Sequence, residues 1–182
     1  MKHALVIGGT GMLAETTIWL AGNGYHASVL ARNRRKTDKL LEQSRHREHL
    51  TPILVDYHNL ETLKQRLREN FEQYGTPSIV VAWIHSDAEK TRDIIIQEVS
   101  KTFLPFDLYI ILGSSTNREV FRQNIAVPEH CTLHIIQLGF VIENNDSRWL
   151  THNEIAGGVI EAIKHEKVEH IVGVLEPWNR RP

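Results

Sequence analysis

VIGGTGMLAETTIWL, residues 6–20, carries three glycines within four positions, and they stand between an apolar run and a helical pattern. Gly8 ends the apolar run, Gly9 and Gly11 follow, and the helical pattern begins at Met12. The stretch therefore predicts a strand that turns sharply into a helix. Such a turn is either a tight connection that happens to be rich in glycine or a cradle for phosphate groups.

The spacing of the glycines favours the cradle. It fits the dinucleotide fingerprint in two registers, Gly9-x-Gly11-x-x-Ala14 and Gly8-x-x-Gly11-x-x-Ala14. In this fingerprint one glycine permits a strained turn, another lets the backbone approach a pyrophosphate, and a small third residue lets helix and strand pack. The helix N-terminus adds free amides and a partial positive charge. We predict that a pyrophosphate binds this part of the chain, formed by Gly8, Gly9, Thr10, Gly11, Met12 and Leu13.

The rest of the chain alternates short apolar runs with longer amphipathic stretches. The runs are nearly continuous in hydrophobicity, which is typical of strands buried on both faces. They cover residues 4–8, 27–31, 52–55, 78–84, 108–112, 133–138 and 170–174, and helical patterns cover 12–23, 59–74, 87–102 and 154–165. The last two helices open with Ser86-x-x-Glu89 and Thr151-x-x-Glu154, which fit the capping box. The alternation predicts an α/β fold of Rossmann type, a doubly wound and mainly parallel sheet of about seven strands with helices on both faces.

Composition sets the broad class of protein. The 182 residues are 41% hydrophobic and 24% charged, which suits a globular chain, and no linker divides residues 1–182 into more than a single domain. A formal net charge of −1 gives no sign of nucleic acid as a partner, and no apolar run is long enough for a membrane span. Cys131 is the only cysteine, which excludes an internal disulfide and makes a reducing cytoplasm the expected location.

The residues after the second apolar run bear on the choice of nucleotide. An acidic residue at the end of that strand would hold the ribose hydroxyls of NAD, but Ala31 stands there. The basic sequence RNRRK follows at 32–36, so no carboxylate repels a 2′-phosphate and guanidinium groups are available to bind one. We predict NADP(H) in preference to NAD(H), held chiefly by Arg32 with help from Arg35 or Lys36, and with Asn33 beside them. The alternative is a solvated basic start to the next helix.

Six segments together resemble the short-chain dehydrogenase/reductase family. They are GGTGMLA at 8–14, LARN at 30–33, LVDYHN at 54–59, VVAWIHS at 80–86, IILGSS at 110–115 and IIQLGFV at 135–141. The resemblance implies that Asp56 reaches the adenine with Tyr57 beside it, and that Ala82 and Trp83 lie at the cofactor. It also places Ser115 on the position of the family's catalytic serine.

The resemblance extends to the nicotinamide end of the cofactor. Leu138-Gly139 stands where a Pro-Gly pair normally precedes a nicotinamide contact, so Gly139 and Val141 are assigned to that end. Ser114 lies beside Ser115 at the carboxyl end of a strand, where ligands of open sheets bind, and it is counted with the cofactor.

The family's Tyr-x-x-x-Lys motif has no counterpart. In the family this motif follows the fifth strand, and its tyrosine exchanges a proton with the substrate. None of the four tyrosines here has a lysine four residues on.

Two hypotheses follow. The first is an atypical NADPH-dependent oxidoreductase of a small carbonyl-type substrate, in which Ser115 orients the substrate oxygen and His85 or water supplies the proton. The second is a non-catalytic NADP(H)-binding sensor or assembly module.

The resemblance also implies possible pairing into a homodimer. Trp149, beside the start of the last helix, fits two roles, closing over the nicotinamide or anchoring a neighbouring subunit. Further arginines are candidates to meet an anionic substrate, against the alternative of plain solvent exposure; they are Arg118, Arg122 and Arg148.

Histidine-rich stretches do not predict a metal site. His130, Cys131 and His134 stand close together, but no second cysteine or carboxylate pair completes a tetrahedral set. His46 and His49 lie in the charged stretch SRHREH and are typical of a solvated helix face.

Overall fold

The computed structural model describes residues 1–85 and 88–182. Its strands are β1 (Lys2–Ile7), β2 (Tyr25–Ala31), β3 (Leu50–Leu54), β4 (Ile79–Ala82), β5 (Phe106–Leu112), β6 (Cys131–Leu138), β7 (Phe140–Glu143), β8 (Asp146–Trp149) and β9 (Glu169–Val172). Its helices are α1 (Ala14–Gly22), α2 (Arg34–Gln43), α3 (Leu60–Tyr74), α4 (Glu89–Ser100), α5 (Arg118–Asn124) and α6 (His152–Lys164).

Seven strands form one sheet, in the order β3-β2-β1-β4-β5-β6-β9, and every pairing in it is parallel. The predicted class of fold is therefore confirmed, since each of the seven apolar runs contributes one strand to this sheet. Strands β2 and β3 lie on one side of β1, and β4 and the strands after it lie on the other, so the strand order reverses between β1 and β4. Carboxyl ends of strands at such a reversal form the crevice in which open α/β sheets bind ligands.

Apolar side chains cover both faces of the sheet, as parallel strands require. On one face, Leu20 of α1 and Val159 of α6 pack with Val6 and Val81. On the other face, residues of α3 and α4 such as Leu63 and Ile95 pack with the alternate positions of the same strands. Because helices hold the sheet from both sides, its carboxyl edge remains free to carry the site.

The observed helices differ from the predicted ones at their ends. Helix α1 begins at Ala14, later than the predicted Met12, because residues 9–13 are turns. The capping box of Thr151 and Glu154 is confirmed, since each side chain bonds the other residue's backbone. The proposed box at Ser86 lies outside the described residues, while α4 is described from Glu89.

Two segments near the carboxyl edge were not predicted from the sequence. Strands β7 and β8 form an antiparallel hairpin between β6 and α6. After β9 the chain turns back along this hairpin, where the amide and carbonyl of Val174 bond those of Phe140 at 2.9 Å. A short 3₁₀-helix, Trp178–Arg180, then brings Arg181 beside the rings of Trp149 and Trp178. None of the helices that the structure describes is long and apolar enough to cross a membrane.

Adjacent glycines in α6 test how this helix meets the sheet. A Cβ at Gly158 would lie 2.3 Å from Cγ2 of Val172 in β9, whereas a Cβ at Gly157 meets nothing within 4 Å. We expect Gly158→Ala to lower the free energy of unfolding by about 1–3 kcal/mol, because the added methyl overpacks the contact. The matched control, Gly157→Ala, should be neutral or stabilise by about 0.5–1 kcal/mol through higher helix propensity. Urea unfolding of both variants measures this, and equal stabilities would contradict the packing of α6 on β9.

Candidate functional site

The glycine turn after β1 divides three physical roles among its three glycines. Gly8 has φ of +81°, a left-handed conformation that favours glycine. A Cβ at Gly9 would lie 2.7 Å from Oγ1 of Thr17 and 2.9 Å from Cγ1 of Val6, so this glycine lets α1 approach β1. A Cβ at Gly11 would have only the carbonyl oxygen of Gly8 nearby, at 3.9 Å. It would project into open space, which is the space that a ligand on this turn would fill.

The first turn of α1 offers free backbone amides. Leu13, the N-cap residue, is fully buried and makes no side-chain cap, while α2, α3, α5 and α6 are each capped by an Asn or Thr side chain. Within the turn, the amides of Gly11 and Ala14 bond carbonyl oxygens of the same turn. Among the described residues, those of Thr10, Met12 and Leu13 have no acceptor. These three donors and the positive end of the helix dipole therefore lie together at the N-terminus of α1, beside the space in front of Gly11.

A cavity of about 350 Å³ opens beside this turn, and its charged lining is two lysines together with Glu15 of α1. The turn supplies Thr10, Gly11 and Met12, α2 supplies Lys36 and Lys39, and α6 supplies His152. The spacing of the two lysines, three residues apart, places them on one face of α2. Lys39 and His152 were not identified from the sequence, although this helical spacing was the available signal for Lys39.

The residues predicted to bind the adenosine end lie at the carboxyl ends of β2 and β3. The guanidinium carbon of Arg32 lies 5.7 Å from the ring centroid of Tyr57, which brings a cation and an aromatic face together. Asp56 is exposed, and its carboxylate accepts a hydrogen bond from the amide of His58. The side chain of Asn33 caps α2 by accepting from the amide of Lys36. Arg35 is exposed on the first turn of α2.

A second cavity, also about 350 Å³, adjoins the other side of the glycine turn. Its polar lining comes from the loop after β5, the start of α6 and the tail. The lining residues are Met12, Trp83, Gly113, Ser114, Ser115, Leu138, Gly139, Trp149, Leu150, His152, Ile155 and Arg181. Met12 and His152 line both cavities, so the two cavities meet where the glycine turn enters α1.

Gln137 holds the loop that carries the two serines. This buried side chain of β6 donates hydrogen bonds from Nε2 to the carbonyl oxygens of Thr116 at 2.7 Å and Gly113 at 3.2 Å. A buried amide that bonds backbone oxygens on both sides of Ser115 fixes the conformation of the loop. The sequence shows Gln137 only as a polar residue inside an apolar strand, which is the signal that identifies it in retrospect.

Several predicted residues do not reach this second cavity. His85 is exposed and lines a neighbouring cavity of about 290 Å³ with Glu89, Arg92 and Phe121 among others. The two cavities share Trp83 and Gly113, but Ser115 and His85 do not face a common space. His152 is the imidazole that lines the cavity of Ser115.

Ala82 and Val141 also lie elsewhere than expected. The side chain of Ala82 is 1% exposed and packs in the core, so only its backbone is at the edge of the sheet. Val141 pairs with Arg148 in the hairpin and is outside the cavity lining. Gly139 does line the cavity, and a Cβ there would collide with the carbonyl of Val174, which explains why glycine stands after β6.

The three arginines suggested for an anionic substrate are paired with acidic side chains. Arg118 and Arg122 both contact the carboxylate of Glu169. Arg148 bonds Glu154 and Glu143, each at 2.9 Å, and ties the hairpin to the start of α6. The hydrogen bond from Arg148, aided by the amide of Thr151, lowers the pKa of Glu154 to about 2.

Three of the four histidines of these clusters have polar partners, while the buried Nε2 of His130 has none among the described residues. His134 is buried, its two ring nitrogens lie 2.9 Å from Oδ1 of Asp107 and from the carbonyl oxygen of Lys167, which accept, and its ring stacks on Tyr109 at 4.1 Å. His46 and His49 flank Glu48 on a 3₁₀-turn, with ring nitrogens 3.7 and 3.8 Å from its carboxylate, rather than on the predicted helix face. This turn precedes β3, at the opposite edge of the sheet from the glycine turn.

Comparison with known proteins gives a likeness in structure alone. No family model matches the sequence, and no curated protein matches it. A short-chain dehydrogenase/reductase from Serratia marcescens superposes with a TM-score of 0.70 at 15% identity, covering 94% of this chain and 97% of that one. The actinorhodin polyketide ketoreductase, solved with NADPH, gives 0.69 at 13%, covering 94% and 95%. A putative oxidoreductase from Escherichia coli gives 0.67 at 13% and covers both chains fully.

The chain has the short-chain dehydrogenase/reductase fold. At these identities the likeness establishes the fold, and the function must be argued from the site. On this fold the glycine turn and the loop of Ser115 lie at the carboxyl edge of the sheet, as the sequence predicted. Within the described part of the chain, no tyrosine and no lysine lines the cavity of Ser115.

The contrast between Gly9 and Gly11 gives a test of the turn. We expect Gly11→Ala to keep the thermal stability of the parent, since its Cβ meets open space, and to weaken NADPH binding about tenfold or more by blocking the backbone's approach to the phosphates. Gly9→Ala should instead lower the free energy of unfolding by about 1–3 kcal/mol, because its Cβ collides with Thr17 and Val6. Calorimetric titration and thermal unfolding measure the two effects. Unchanged NADPH affinity in a folded Gly11→Ala protein would contradict the assignment.

Proposed function

We propose that the chain is an NADPH-dependent reductase of a small carbonyl-type substrate. One observation carries the proposal: a turn with three free amides and no side chain at Gly11 joins a cavity lined by Lys36 and Lys39 to a second cavity lined by Ser115. The first cavity has the charge and the donors that a diphosphate needs. The second has an apolar wall and a few convergent polar groups, as small-molecule sites do.

The residues present fit a dinucleotide. The amides of Thr10, Met12 and Leu13 would hold the pyrophosphate, and the open space at Gly11 would admit it. Tyr57 and Asp56 lie at the end of the sheet where the adenosine would bind. When bound, NADPH supplies a hydride, and the chain's own residues orient the acceptor and handle the proton.

The preference for NADP(H) rests on charge. No carboxylate follows β2, where Ala31 stands, and Arg32 is the first residue after the strand. Lys36 and Lys39 add two ammonium groups to the cavity beside the turn. Together these cations would bind a 2′-phosphate, and they outnumber the one carboxylate, Glu15, that lines the cavity of the two lysines.

The catalytic groups we propose are Ser115 and His152. Ser115 would donate a hydrogen bond to the substrate carbonyl, in the position that Gln137 fixes through the loop backbone. His152, at the start of α6, would donate the proton as the carbonyl is reduced, since imidazole exchanges protons near neutral pH. His85, the sequence candidate for this role, lines the other cavity and is replaced here by His152.

A second candidate function is a non-catalytic NADP(H)-binding module. The observation in its favour is that the cavity of Ser115 has no tyrosine and no lysine among the described residues that line it. In this alternative the nucleotide binds with the same residues, and the hairpin face serves a protein partner. The two candidates differ in turnover and not in nucleotide binding.

We propose the cytoplasm as the location. Cys131 is the only cysteine of the chain, and burial raises the pKa of its thiol to about 12. A neutral, partly buried thiol suits a reducing compartment, where it would remain unreactive.

Nucleotide preference is tested by titrating the protein with NADPH and NADH. We expect Arg32→Gln to raise the Kd for NADPH about tenfold and to leave the Kd for NADH unchanged, because a charge-assisted hydrogen bond to the 2′-phosphate is lost. Arg47→Gln, the same change at the opposite edge of the sheet, is the control. If the parent protein bound both nucleotides equally, the role of Arg32 would be wrong.

Turnover is tested by NADPH oxidation with a panel of aldehydes, ketones and quinones. Ser115→Ala and His152→Gln should each lower kcat by about 10²-fold or more, the usual contribution of a group that orients or protonates the substrate, with little change in NADPH affinity. His85→Gln should keep parent activity. NADPH binding without oxidation on any substrate would favour the non-catalytic module. Loss of activity in His85→Gln would assign the role of proton donor to His85 instead of His152.

A further inference from the structure

Arg181 is held between two indole rings at the wall of the Ser115 cavity. Its guanidinium carbon lies 4.8 Å from the ring centroid of Trp178 and 5.2 Å from that of Trp149. The amide of Arg181 bonds the carbonyl oxygen of Trp178, so the backbone of the tail is fixed as well. A guanidinium stacked on aromatic faces keeps its edge, with the N–H donors, available to a planar anion.

The positive charge of Arg181 has no partner within the described residues. Its Nε atom is fully buried and has no hydrogen-bond acceptor. Three other arginines, Arg118, Arg122 and Arg148, are each paired with a glutamate. Among the described residues that line the cavity of Arg181, none is acidic. A cation with no ion-pair partner beside a buried donor is unfavourable, and an anionic ligand at the terminal amino groups of Arg181 would offset that cost.

We propose that Arg181 binds a carboxylate of the substrate. The inference rests on the proposed function, because it names the class of carbonyl compound that the reductase takes: an aldehyde or ketone that also carries a carboxylate. Guanidinium and carboxylate match in a bidentate geometry. Ser115, on the loop after β5, lines the same cavity and would meet the carbonyl end of the substrate. The cavity, of about 350 Å³, holds a molecule of the size of a substituted benzaldehyde.

The cofactor's diphosphate is the other anion near this end of the sheet. The cavity that adjoins the free amides is lined by Thr10, Lys36 and Lys39, and Arg181 is outside that lining. Arg181 shares its own cavity with the serine loop and with Gly139 after β6. The position therefore favours the substrate over the diphosphate, and the experiment below separates the two.

A matched pair of substrates tests the proposal. 4-Carboxybenzaldehyde and its methyl ester carry the same aldehyde on the same ring and differ in charge. We expect kcat/KM to be higher for the acid by about 10- to 100-fold, and Arg181→Met to remove that difference by lowering the value for the acid alone. Arg181→Lys should restore part of it, because a point charge replaces a bidentate fork. Arg180→Met, the same change at the neighbouring position, should behave as the parent protein.

The Kd for NADPH is measured for each variant beside the kinetics. An unchanged Kd for NADPH in Arg181→Met supports the substrate role. A Kd that rises by the same factor as KM for the acid would assign Arg181 to the cofactor's phosphates and overturn the proposal. Equal kcat/KM for acid and ester in the parent protein would also overturn it, while leaving the reductase function intact.

Direct binding covers the case in which neither aldehyde is reduced. Saturation-transfer NMR with benzoate, with benzamide as the neutral control, is recorded with and without NADP⁺. Binding of benzoate that is lost in Arg181→Met supports the anion site even where the reductase function fails. Equal signals from benzoate and benzamide would contradict it. Thermal unfolding of each variant confirms that the tail substitution leaves the fold intact.

Discussion

The site depends on a backbone bend between β1 and α1 that no side chain obstructs. Gly8 takes the left-handed conformation, and Gly9 lets the helix approach the strand to within contact of Thr17 and Val6. These two constraints place the first turn of α1 so that its free amides point along the carboxyl edge of the sheet. Any side chain at Gly11 would enter the space in front of those amides. The buried Leu13 then anchors the turn from below in the apolar core.

The far wall of the site is built from segments that follow β6. The hairpin is tied to α6 by Arg148, whose two glutamate partners come one from β7 and one from the first turn of the helix. The tail is tied to the hairpin by the backbone pairing of Val174 with Phe140. Trp149 and Arg181 meet across these two segments. The hairpin and the tail thus form one wall of a small open cavity, and among the described residues of that wall Arg181 is a cation without an ion-pair partner.

The sheet and the turn were predictable from the sequence because local signals determine both. Continuous apolar runs such as 108–112 identify strands buried on both faces, and the glycine spacing identifies a turn whose conformation other residues would not tolerate. Ser115 was predicted from the resemblance to the family's serine position and from its place just after a buried strand. These are properties of a few consecutive residues.

The remaining parts of the site arise from contacts between distant segments. In the sequence Arg181 is one of two adjacent arginines in the tail, and only the folding of the tail back onto Trp149 distinguishes it. His85 follows a strand, as a site residue would, but Trp83 and Gly113 separate its cavity from that of Ser115. Gln137 acts through carbonyl groups on another strand's loop. The spacing of residues in a sequence does not show which cavity a side chain will line, or which charged groups will form ion pairs.

The central claim is that a dinucleotide binds on the free amides of the first turn of α1. Backbone ¹⁵N–¹H NMR spectra during titration with NADP⁺ test it most directly. The account predicts that the largest shifts occur at the amides of Thr10, Met12 and Leu13, with smaller shifts after β2 and β3. Saturable binding that leaves these three amides unshifted, or no binding at all, would contradict it.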